Sequence, residues 1–199
     1  SPVQRALWDG LEVTGVCTIF MDSGIDTGDV IEVLREPVRD DDDASSLAAR
    51  LAELGGPLLA SSALLAASGK APRVAQDRTA GSYAKKLKKQ DGIVDWTLPA
   101  RAVWSRARAV TPWPGATAMF RGKRVLIVRS RPEPGGGDAA PGSFLSNDEQ
   151  GVRIACGEGV LRVTRLKPEG RAELDAAEWA RGARIQPDER FETLKEQTQ

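Results

Sequence analysis

Hydrophobic residues follow two different periods in the first third of the chain. Residues 14–21 form a β-branched and aromatic run that is typical of a strand, and residues 30–33 predict a second strand. Leucines then recur about every 3.6 residues, which is the period of a helix with one apolar face. We expect this helix to end at Gly69 and to bend at Pro57. Its leucines are Leu47, Leu51, Leu54, Leu58, Leu59 and Leu65.

Polar residues and glycine mark the ends of the N-terminal helices. Residues 2–8 have helical spacing and predict a short helix that Gly10 stops. Four consecutive aspartates, residues 40–43, come directly before the leucine-rich helix. Because carboxylates are stabilised at the positive end of the helix dipole, these aspartates are explained as a signal for a helix start.

From residue 93 onward the pattern changes to short alternating runs. A helix is predicted over residues 99–110, followed by a turn at residues 111–115, and a last helix over residues 174–180. Five short strands with glycine-containing connections are typical of a small barrel. The predicted strands are 116–120, 124–130, 143–146, 152–156 and 160–166.

The segment between these two patterns is rich in lysine and arginine and poor in hydrophobic residues. Such a change in composition is typical of a linker. We therefore predict three parts: an α/β part over residues 1–69, a basic linker over residues 70–92, and a β-rich domain over residues 93–199.

The formal net charge is zero, but the charges are segregated along the chain. Residues 1–69 carry 12 acidic and 4 basic residues, residues 70–131 carry 3 and 15, and residues 132–199 carry 13 and 9. The net charge of +12 in the middle block fits a solvated linker. It also fits a surface for a polyanion, because each neutralised phosphate releases counterions. The charge pattern alone leaves both interpretations open.

The sequence contains no histidine and two cysteines. Histidine is the commonest metal ligand and the commonest general base near neutral pH, and we expect no metal site. Cys17 and Cys156 lie far apart in alternating apolar runs, where we expect buried, reduced thiols. No run of about 18 apolar residues occurs, and the first residues lack the order of a secretory signal. We expect a cytoplasmic protein with no membrane partner.

The stretch MDSGIDTGDVI, residues 21–31, places aspartates and glycines between two apolar runs. It lacks the ligand spacing of a calcium loop of the EF-hand type, and it has neither the Gly-Lys-Ser/Thr of a P-loop nor a dinucleotide fingerprint. An acidic turn with glycines at positive φ remains one interpretation. The other is a ligand-binding loop, because Asp26 and Asp29 follow a predicted strand, where α/β sheets place their ligands.

Motifs along almost the whole chain resemble those of the methionyl-tRNA formyltransferase family. The motifs up to about residue 35 are shared more loosely with other enzymes that use 10-formyltetrahydrofolate, whereas the later motifs are more specific to the tRNA enzymes. The residues that carry the resemblance are PVQRALWDG (2–10), EVTGV (12–16), MDSGIDTGDV (21–30), LAELG (51–55), QD (76–77), YAKKL (83–87), DW (95–96) and PWPG (112–115).

The resemblance implies the C-terminal part of a Rossmann-like formyltransferase domain, a linker, and an OB-like β-barrel domain. It implies transfer of a formyl group from 10-formyltetrahydrofolate to the α-amine of methionyl initiator tRNA. The catalytic Asp of the family's Asn, His and Asp triad matches Asp26, while Gly24, Ile25 and Gly28 match the folate wall. Asp22 and Asp29 are expected to be structural.

The family's Asn and His belong to a segment that precedes PVQR and is absent from this sequence. We therefore expect the 199-residue chain alone to be inactive, and its N-terminal part to be less stable than the barrel. We also expect the DNA upstream of the Ser1 codon to continue in frame through an Asn-x-His motif.

The resemblance favours initiator tRNA as the polyanion that the basic block binds, with the protein acting as a monomer. Two alternatives remain. One is a formyltransferase for a nucleotide sugar or another small amine, which would not need the basic block. The other is a non-catalytic fragment that binds RNA. The candidate tRNA-binding residues are Lys85, Lys86, Lys88, Lys89, Arg121, Lys123 and Arg124.

Overall fold

The computed structural model describes residues 1–77, 79 and 81–194. The helices are α1 (Pro2–Trp8), α2 (Ala44–Ala67), α3 (Ala100–Ala109) and α4 (Ala176–Ala183), with a 3-10 helix at Lys89–Gly92. The strands are β1 (Val13–Ile19), β2 (Val30–Pro37), β3 (Ala116–Phe120), β4 (Lys123–Glu133), β5 (Phe144–Asp148), β6 (Gly151–Ala155), β7 (Val160–Pro168) and β8 (Leu174–Asp175).

The two N-terminal strands form an antiparallel pair that α2 covers on one face only. On the covered face, Val16 lies against Gly55 of α2. On the other face Cys17 lies opposite Val33, and both side chains are exposed, Val33 to 61%. The prediction of a buried thiol is therefore wrong for Cys17, because strand alternation turns it to the uncovered face.

The second cysteine is buried, as the sequence predicts, because it follows β6 in the C-terminal hydrophobic cluster. Cys156 is buried in the C-terminal core, and its burial raises the pKa of the thiol to about 12. The thiolate that a reactive cysteine needs is therefore disfavoured at neutral pH.

The aspartate run does start α2, as the sequence predicts. The Asp43 carboxylate accepts hydrogen bonds from the amides of Ser45 and Ser46 at 2.8 and 2.9 Å. Its neighbour Asp42 is buried and receives two hydrogen bonds from Arg50, at 2.6 and 2.7 Å. Asp43 thus caps the helix, whereas Asp42 joins the start of α2 to its second turn. The helix runs through Pro57 to Ala67.

The C-terminal strands form one six-stranded sheet in the order β3-β4-β7-β6-β5, with β8 beside β7. All five predicted strands are present. β4 continues beyond its predicted end at residue 130, to Glu133. The hydrophobic pattern did not predict this last part because charged residues occupy it. The predicted helix start at Leu174 is wrong, since Leu174 pairs with Leu166 of β7. The helix begins after Asp175, whose carboxylate accepts hydrogen bonds from two amides of its first turn.

The edges of this sheet approach one another through the chain that follows α4. The Phe144 amide donates to the Glu189 carbonyl at 2.9 Å, and Met119 and Glu192 exchange two backbone hydrogen bonds of 2.8 Å. Residues 189–192 therefore lie between the outer strands β3 and β5. No ladder between β3 and β5 is found in the described part of the chain, and a closed OB-like barrel stays a prediction.

Helix α3 belongs to two hydrophobic clusters. On one side, Val103 and Trp104 pack into the core of the C-terminal sheet. On the other, Ala109 is buried against Leu7 of α1 and Leu47 of α2. The helix therefore holds the N-terminal part of the chain against the C-terminal sheet by apolar contact on both sides.

Candidate functional site

The connection between β1 and β2 is a surface loop held by its own side chains. Asp22 accepts hydrogen bonds from the Gly24 amide at 2.9 Å and from the Thr27 hydroxyl at 2.7 Å. At the far end of the loop, the Phe20 amide donates to the Asp29 carbonyl at 2.9 Å. The Asp29 carboxylate forms an ion pair with an arginine outside the loop. The contacts of Asp22 and Asp29 are those that close a turn.

Asp26 lies at the tip of this loop and differs from both neighbouring aspartates. Its φ is +54°, in the left-handed region, which Asp tolerates better than most residues. The side chain is exposed, and its carboxylate has no hydrogen bond or ion pair with any residue described by the structure. A carboxylate held at a defined point and left unpaired is free to accept a proton or a hydrogen bond.

The expectation of glycines at positive φ is wrong for this loop, where Asp26 takes that conformation. Its glycines are needed for a different reason. A Cβ at Gly28 would collide with the Phe20 carbonyl oxygen, and one at Gly24 would collide with the Thr27 hydroxyl. The glycines therefore allow close approach of backbone and side chain, while Ile25 between them is 91% exposed.

Residues 72–76 of the basic region cross the base of the loop, and we call this segment the strap. Val74 of the strap exchanges two backbone hydrogen bonds with Val30, at 2.8 and 3.1 Å. Arg73 pairs with Asp29 at 3.3 Å, and its guanidinium lies 3.8 Å from the centre of the Phe20 ring. The strap therefore fastens both ends of the loop.

Gln76 of the strap reaches the tip of the loop. Its side-chain Nε2 donates hydrogen bonds to the carbonyl oxygens of Asp26 at 2.9 Å and of Gly28 at 2.7 Å. Hydrophobic pattern and charge gave no sign of this contact. The only available signal was the Gln76-Asp77 pair among the residues that carry the family resemblance.

The four candidate lysines of the linker project from an anchored backbone. All four side chains are exposed, whereas Leu87 between them is buried. Arg5 of α1 donates to the carbonyl of Lys85 at 3.4 Å, and the Lys88 amide donates to Asp91 at 2.7 Å. The lysines concerned are Lys85, Lys86, Lys88 and Lys89.

The second candidate group lies on the β3–β4 hairpin, away from the first. The linker reaches the sheet where Ile93 pairs with Thr117, near the start of β3, whereas the hairpin follows the end of β3. Lys123 and Arg124 are exposed there, beside a groove of about 430 Å³ that Trp179 also lines. The linker lysines and the hairpin cations therefore lie at opposite ends of β3 and do not form one cluster.

Arg121 of the hairpin is already engaged within the chain. It donates two hydrogen bonds to the Glu189 carboxylate, at 2.5 and 2.6 Å, and a third to the Ala183 carbonyl at 2.9 Å. The hydrogen bonds from Arg121 and from the Gln186 amide hold the pKa of Glu189 at about 2. Any phosphate contact by Arg121 would have to compete with this pair.

The tryptophans divide between core and surface. Trp96 and Trp104 are buried, as expected for core packing. Trp113, in the turn that follows α3, is 57% exposed.

Neither a metal site nor a membrane-spanning helix is present in residues 1–77, 79 and 81–194. Within those limits, no group of three side chains with metal-ligand chemistry comes together. No helix there has the length and hydropathy needed to cross a membrane.

Two family models match the chain. The model described as formyl transferase matches residues 1–63, and the model described as formyl transferase, C-terminal domain, matches residues 86–184. A methionyl-tRNA formyltransferase of Symbiobacterium thermophilum is 37% identical over 196 residues, covering 96% of this chain and 59% of its own length. One from Thermus thermophilus is 40% identical over 193 residues, covering 96% and 61%. The chain thus spans about 60% of the length of these relatives.

Solved structures resemble the fold at lower identity. HypX from Aquifex aeolicus, in complex with tetrahydrofolic acid, has a TM-score of 0.64 at 21% identity, over 89% of this chain and 32% of that one. WlaRD, a sugar 3N-formyl transferase, has a TM-score of 0.66 at 14% identity, over 86% and 60%. These likenesses concern the α/β plus β fold alone. The family rests on the two family models, which together match residues 1–63 and 86–184: the chain belongs to the formyl transferase family.

Proposed function

We propose that the protein transfers a formyl group from 10-formyltetrahydrofolate to the α-amine of methionyl initiator tRNA. The observation that carries the proposal is the similarity to relatives named methionyl-tRNA formyltransferase, which extends over 96% of this chain. It therefore includes the basic linker and the C-terminal sheet as well as the Asp26 loop. The carboxylate of Asp26, which has no hydrogen bond or ion pair with residues 1–77, 79 and 81–194, supplies a chemical role within that similarity.

Formyl transfer is an acyl transfer, in which the amine nitrogen attacks the formyl carbon and an oxyanion forms. The new carbon–nitrogen bond requires loss of a proton from the amine. The bond from the formyl carbon to the folate nitrogen then breaks, and that nitrogen leaves with the electron pair and takes up a proton. In this proposal Asp26 accepts the amine proton through a water molecule and stabilises the charge of a neighbouring imidazole. These 199 residues contain no histidine. The imidazole of this mechanism would therefore come from a residue outside them.

The folate wall is proposed to consist of Gly24, Ile25 and Gly28. The exposed Ile25 side chain offers an apolar contact at the tip of the loop. The glycines let the loop pack closely against Phe20 and Thr27, so that its outer side remains for the ligand. The formyl donor is a co-substrate here, and the proposed chemistry needs no metal.

The tRNA surface is proposed to include the linker lysines and the hairpin cations. The linker lysines are exposed on an anchored backbone, so less entropy is lost when they bind phosphate than for a free linker. Lys123 and Arg124 have no ion pair with the described residues, whereas Arg121 has one. We assign Lys123 and Arg124 direct phosphate contacts, and Arg121 a contact that requires exchange with Glu189.

We also propose a division of the chain into three parts. The catalytic part is assigned to residues 1–69, the linker to residues 70–92, and an OB-like tRNA-binding domain to residues 93–199. The segment that lies between the edges of β3 and β5 supports the barrel assignment. A monomeric protein acting in the cytoplasm fits a substrate used in translation initiation.

A formyltransferase for a nucleotide sugar is the second candidate, favoured by the fold shared with WlaRD. It would use the same Asp26 loop. It would leave the net charge of +12 in residues 70–131 without a partner, and for this reason the tRNA interpretation is preferred. A non-catalytic RNA-binding role is the third, and it would give Asp26 no task.

The decisive experiment uses the full open reading frame that contains this sequence. We expect Asp26→Asn to lower kcat for formylation of methionyl-tRNA by about 100-fold or more, because the amide cannot accept the proton. The affinity for tRNA should stay within about twofold, since the carboxylate does not position RNA. Formyl transfer and tRNA binding are measured side by side.

The matched control is Asp9→Asn, which removes an exposed carboxylate outside the loop. It should retain the parent rate. Turnover of Asp26→Asn within about threefold of the parent would overturn the catalytic assignment. Formylation of a nucleotide sugar in preference to methionyl-tRNA would establish the second candidate instead.

A further inference from the structure

We infer that Gln76 is a positioning residue for the Asp26 carboxylate, so that the strap belongs to the catalytic site and not only to the linker. The inference rests on the proposed catalytic role of Asp26. It adds a residue to that role from a different part of the chain, 50 positions away in sequence.

The first observation is the two-point contact at the tip of the loop. A single nitrogen, Gln76 Nε2, donates to the carbonyl oxygens of Asp26 and Gly28. A carboxamide NH2 has two hydrogens, so both bonds can form at once. Two acceptors also fix the orientation of the amide, because its oxygen could not bond to carbonyls. Gln76 therefore ties the backbone directly at Asp26 to the backbone two residues later.

The second observation is the conformation that this contact stabilises. Asp26 is the residue of the loop at positive φ. A non-glycine residue in this region persists where surrounding contacts fix it. The Asp26 carboxylate has no hydrogen bond or ion pair with the described residues, so its direction is set chiefly by the backbone that carries it. A group that holds the Asp26 carbonyl thereby orients the carboxylate.

The third observation is that the strap delivers Gln76 from a fixed position. The ladder bonds of Val74 to Val30 and the pair of Arg73 with Asp29 hold the strap two and three residues before Gln76. The amide thus has a defined origin, which a side chain on a free linker would lack. Preorganisation of this kind matters because displacement of a reacting group by about 1 Å is enough to lower rates by about 100-fold.

Three variants of the full open reading frame test the inference: Gln76→Ala, Gln76→Glu and the control Gln90→Ala. Gln90 is an exposed linker glutamine whose side chain makes no hydrogen bond with the described residues. We expect Gln76→Ala to lower kcat by about tenfold while the affinity for tRNA stays within about twofold. Gln90→Ala should behave as the parent protein.

The pH dependence of Gln76→Glu separates positioning from general loss of fold. An ionised carboxylate repels the two carbonyls, whereas a protonated carboxyl restores one donor. The ratio of its kcat to that of the parent should therefore rise as pH falls from about 6 to about 4, through the ordinary glutamate pKa of about 4.3. A ratio independent of pH would overturn the inference. So would a Gln76→Ala rate equal to the parent rate.

The double variant Asp26→Asn with Gln76→Ala shows whether Gln76 acts through Asp26. If it does, the double variant is no slower than Asp26→Asn alone. A further tenfold loss in the double variant would mean that Gln76 acts through another group, and would refute the positioning role. The two proposals fail separately: a slow Asp26→Asn with a fast Gln76→Ala removes only the inference, whereas a fast Asp26→Asn removes both.

Discussion

The N-terminal and C-terminal parts of the chain differ in how their sheets are covered. The β1–β2 pair has α2 on one face and exposes Val13 and Val33 on the other, at 50% and 61%. In the C-terminal sheet, Val152, Leu161 and Val163 are buried almost completely. The C-terminal residues enclose their own core, whereas one face of the β1–β2 pair is not covered by these 199 residues.

The large hydrophobic cluster and the candidate catalytic loop lie in different parts of the chain. The large cluster of buried residues belongs to the C-terminal sheet and the helices packed on it. The candidate catalytic loop lies in the part with the small cluster, whose main members are Leu7, Leu47 and Leu51. Its position there depends on specific polar contacts, chiefly those that Arg73, Val74 and Gln76 of the strap make with it. Apolar burial therefore sets the stability of one part, and hydrogen bonds set the geometry of the other.

The largest effect that tests this comparison is on the C-terminal core. Leu161→Ala should lower the free energy of unfolding by about 3 kcal/mol, because it opens a cavity in a central strand with no exposed surface. Val33→Ala, on the open face of β2, should change it by less than about 0.5 kcal/mol. Urea unfolding of the chain measures both. Equal effects would show that the open face is covered in solution.

A smaller effect is expected for the buried carboxylate of the N-terminal part. Burial of Asp42 by itself raises its pKa, but the hydrogen bonds from Arg50, the Arg39 amide and Ser46 outweigh it and lower the pKa to about 2. Asp42→Asn should lower the free energy of unfolding by about 2 kcal/mol at neutral pH.

The sign of the pH dependence follows from the depressed pKa. The stabilisation is complete above the unfolded value of 3.8 and is lost as pH falls through about 2. The difference between parent and Asp42→Asn should therefore vanish towards pH 2. Urea unfolding across this range measures it, with hydrogen exchange reporting whether β1 and α2 open first. The exposed Asp41→Asn serves as control, and a difference that persists at pH 2 would contradict the ion-pair account.

The smallest effect concerns RNA binding, assigned to the linker and the C-terminal side. Replacing Lys85, Lys86, Lys88 and Lys89 together by Ala should weaken tRNA binding by about tenfold. It should also reduce the slope of log K against log salt by about 1 for each phosphate that the variant no longer neutralises. Transfer to a small amine acceptor should be nearly unchanged, because these lysines position RNA.

The control for the lysine variant replaces Lys70, Lys167 and Arg181 by Ala, which removes exposed cations outside both candidate groups. Its salt slope should match that of the parent. An unchanged slope in the quadruple variant would mean that the linker is merely solvated. It would also strengthen the interpretation of the protein as a sugar-type formyltransferase.

Much of the architecture could be predicted from the spacing of hydrophobic residues. A helix or strand with one buried face needs a hydrophobic residue each time the chain returns to that face. The leucine period predicted α2, and alternation predicted the strands of the C-terminal sheet. The same argument fails where charges lie on a strand, as in β4, which extends to Glu133 through alternating arginines. It also failed for Cys17, since alternation alone does not say which face of a strand is covered.

The site was less predictable, since its contacts join residues far apart in sequence. The family resemblance pointed to Asp26, and the charge count pointed to the basic block. Neither could show that Gln76 binds the loop from 50 residues away, or that Arg121 is already paired with Glu189. Such contacts depend on distances in the folded chain, for which composition and period carry no information.

The strap has a consequence for exchanging parts between related proteins. A cut at residue 69, where composition changes, would separate the Asp26 loop from Arg73, Val74 and Gln76. Only eight residues separate Gln76 from Lys85, the first of the linker lysines. The loop and the lysine-bearing segment are therefore inherited most safely as one continuous stretch. Recombination between homologues would keep the loop intact when the junction falls beyond Gln76.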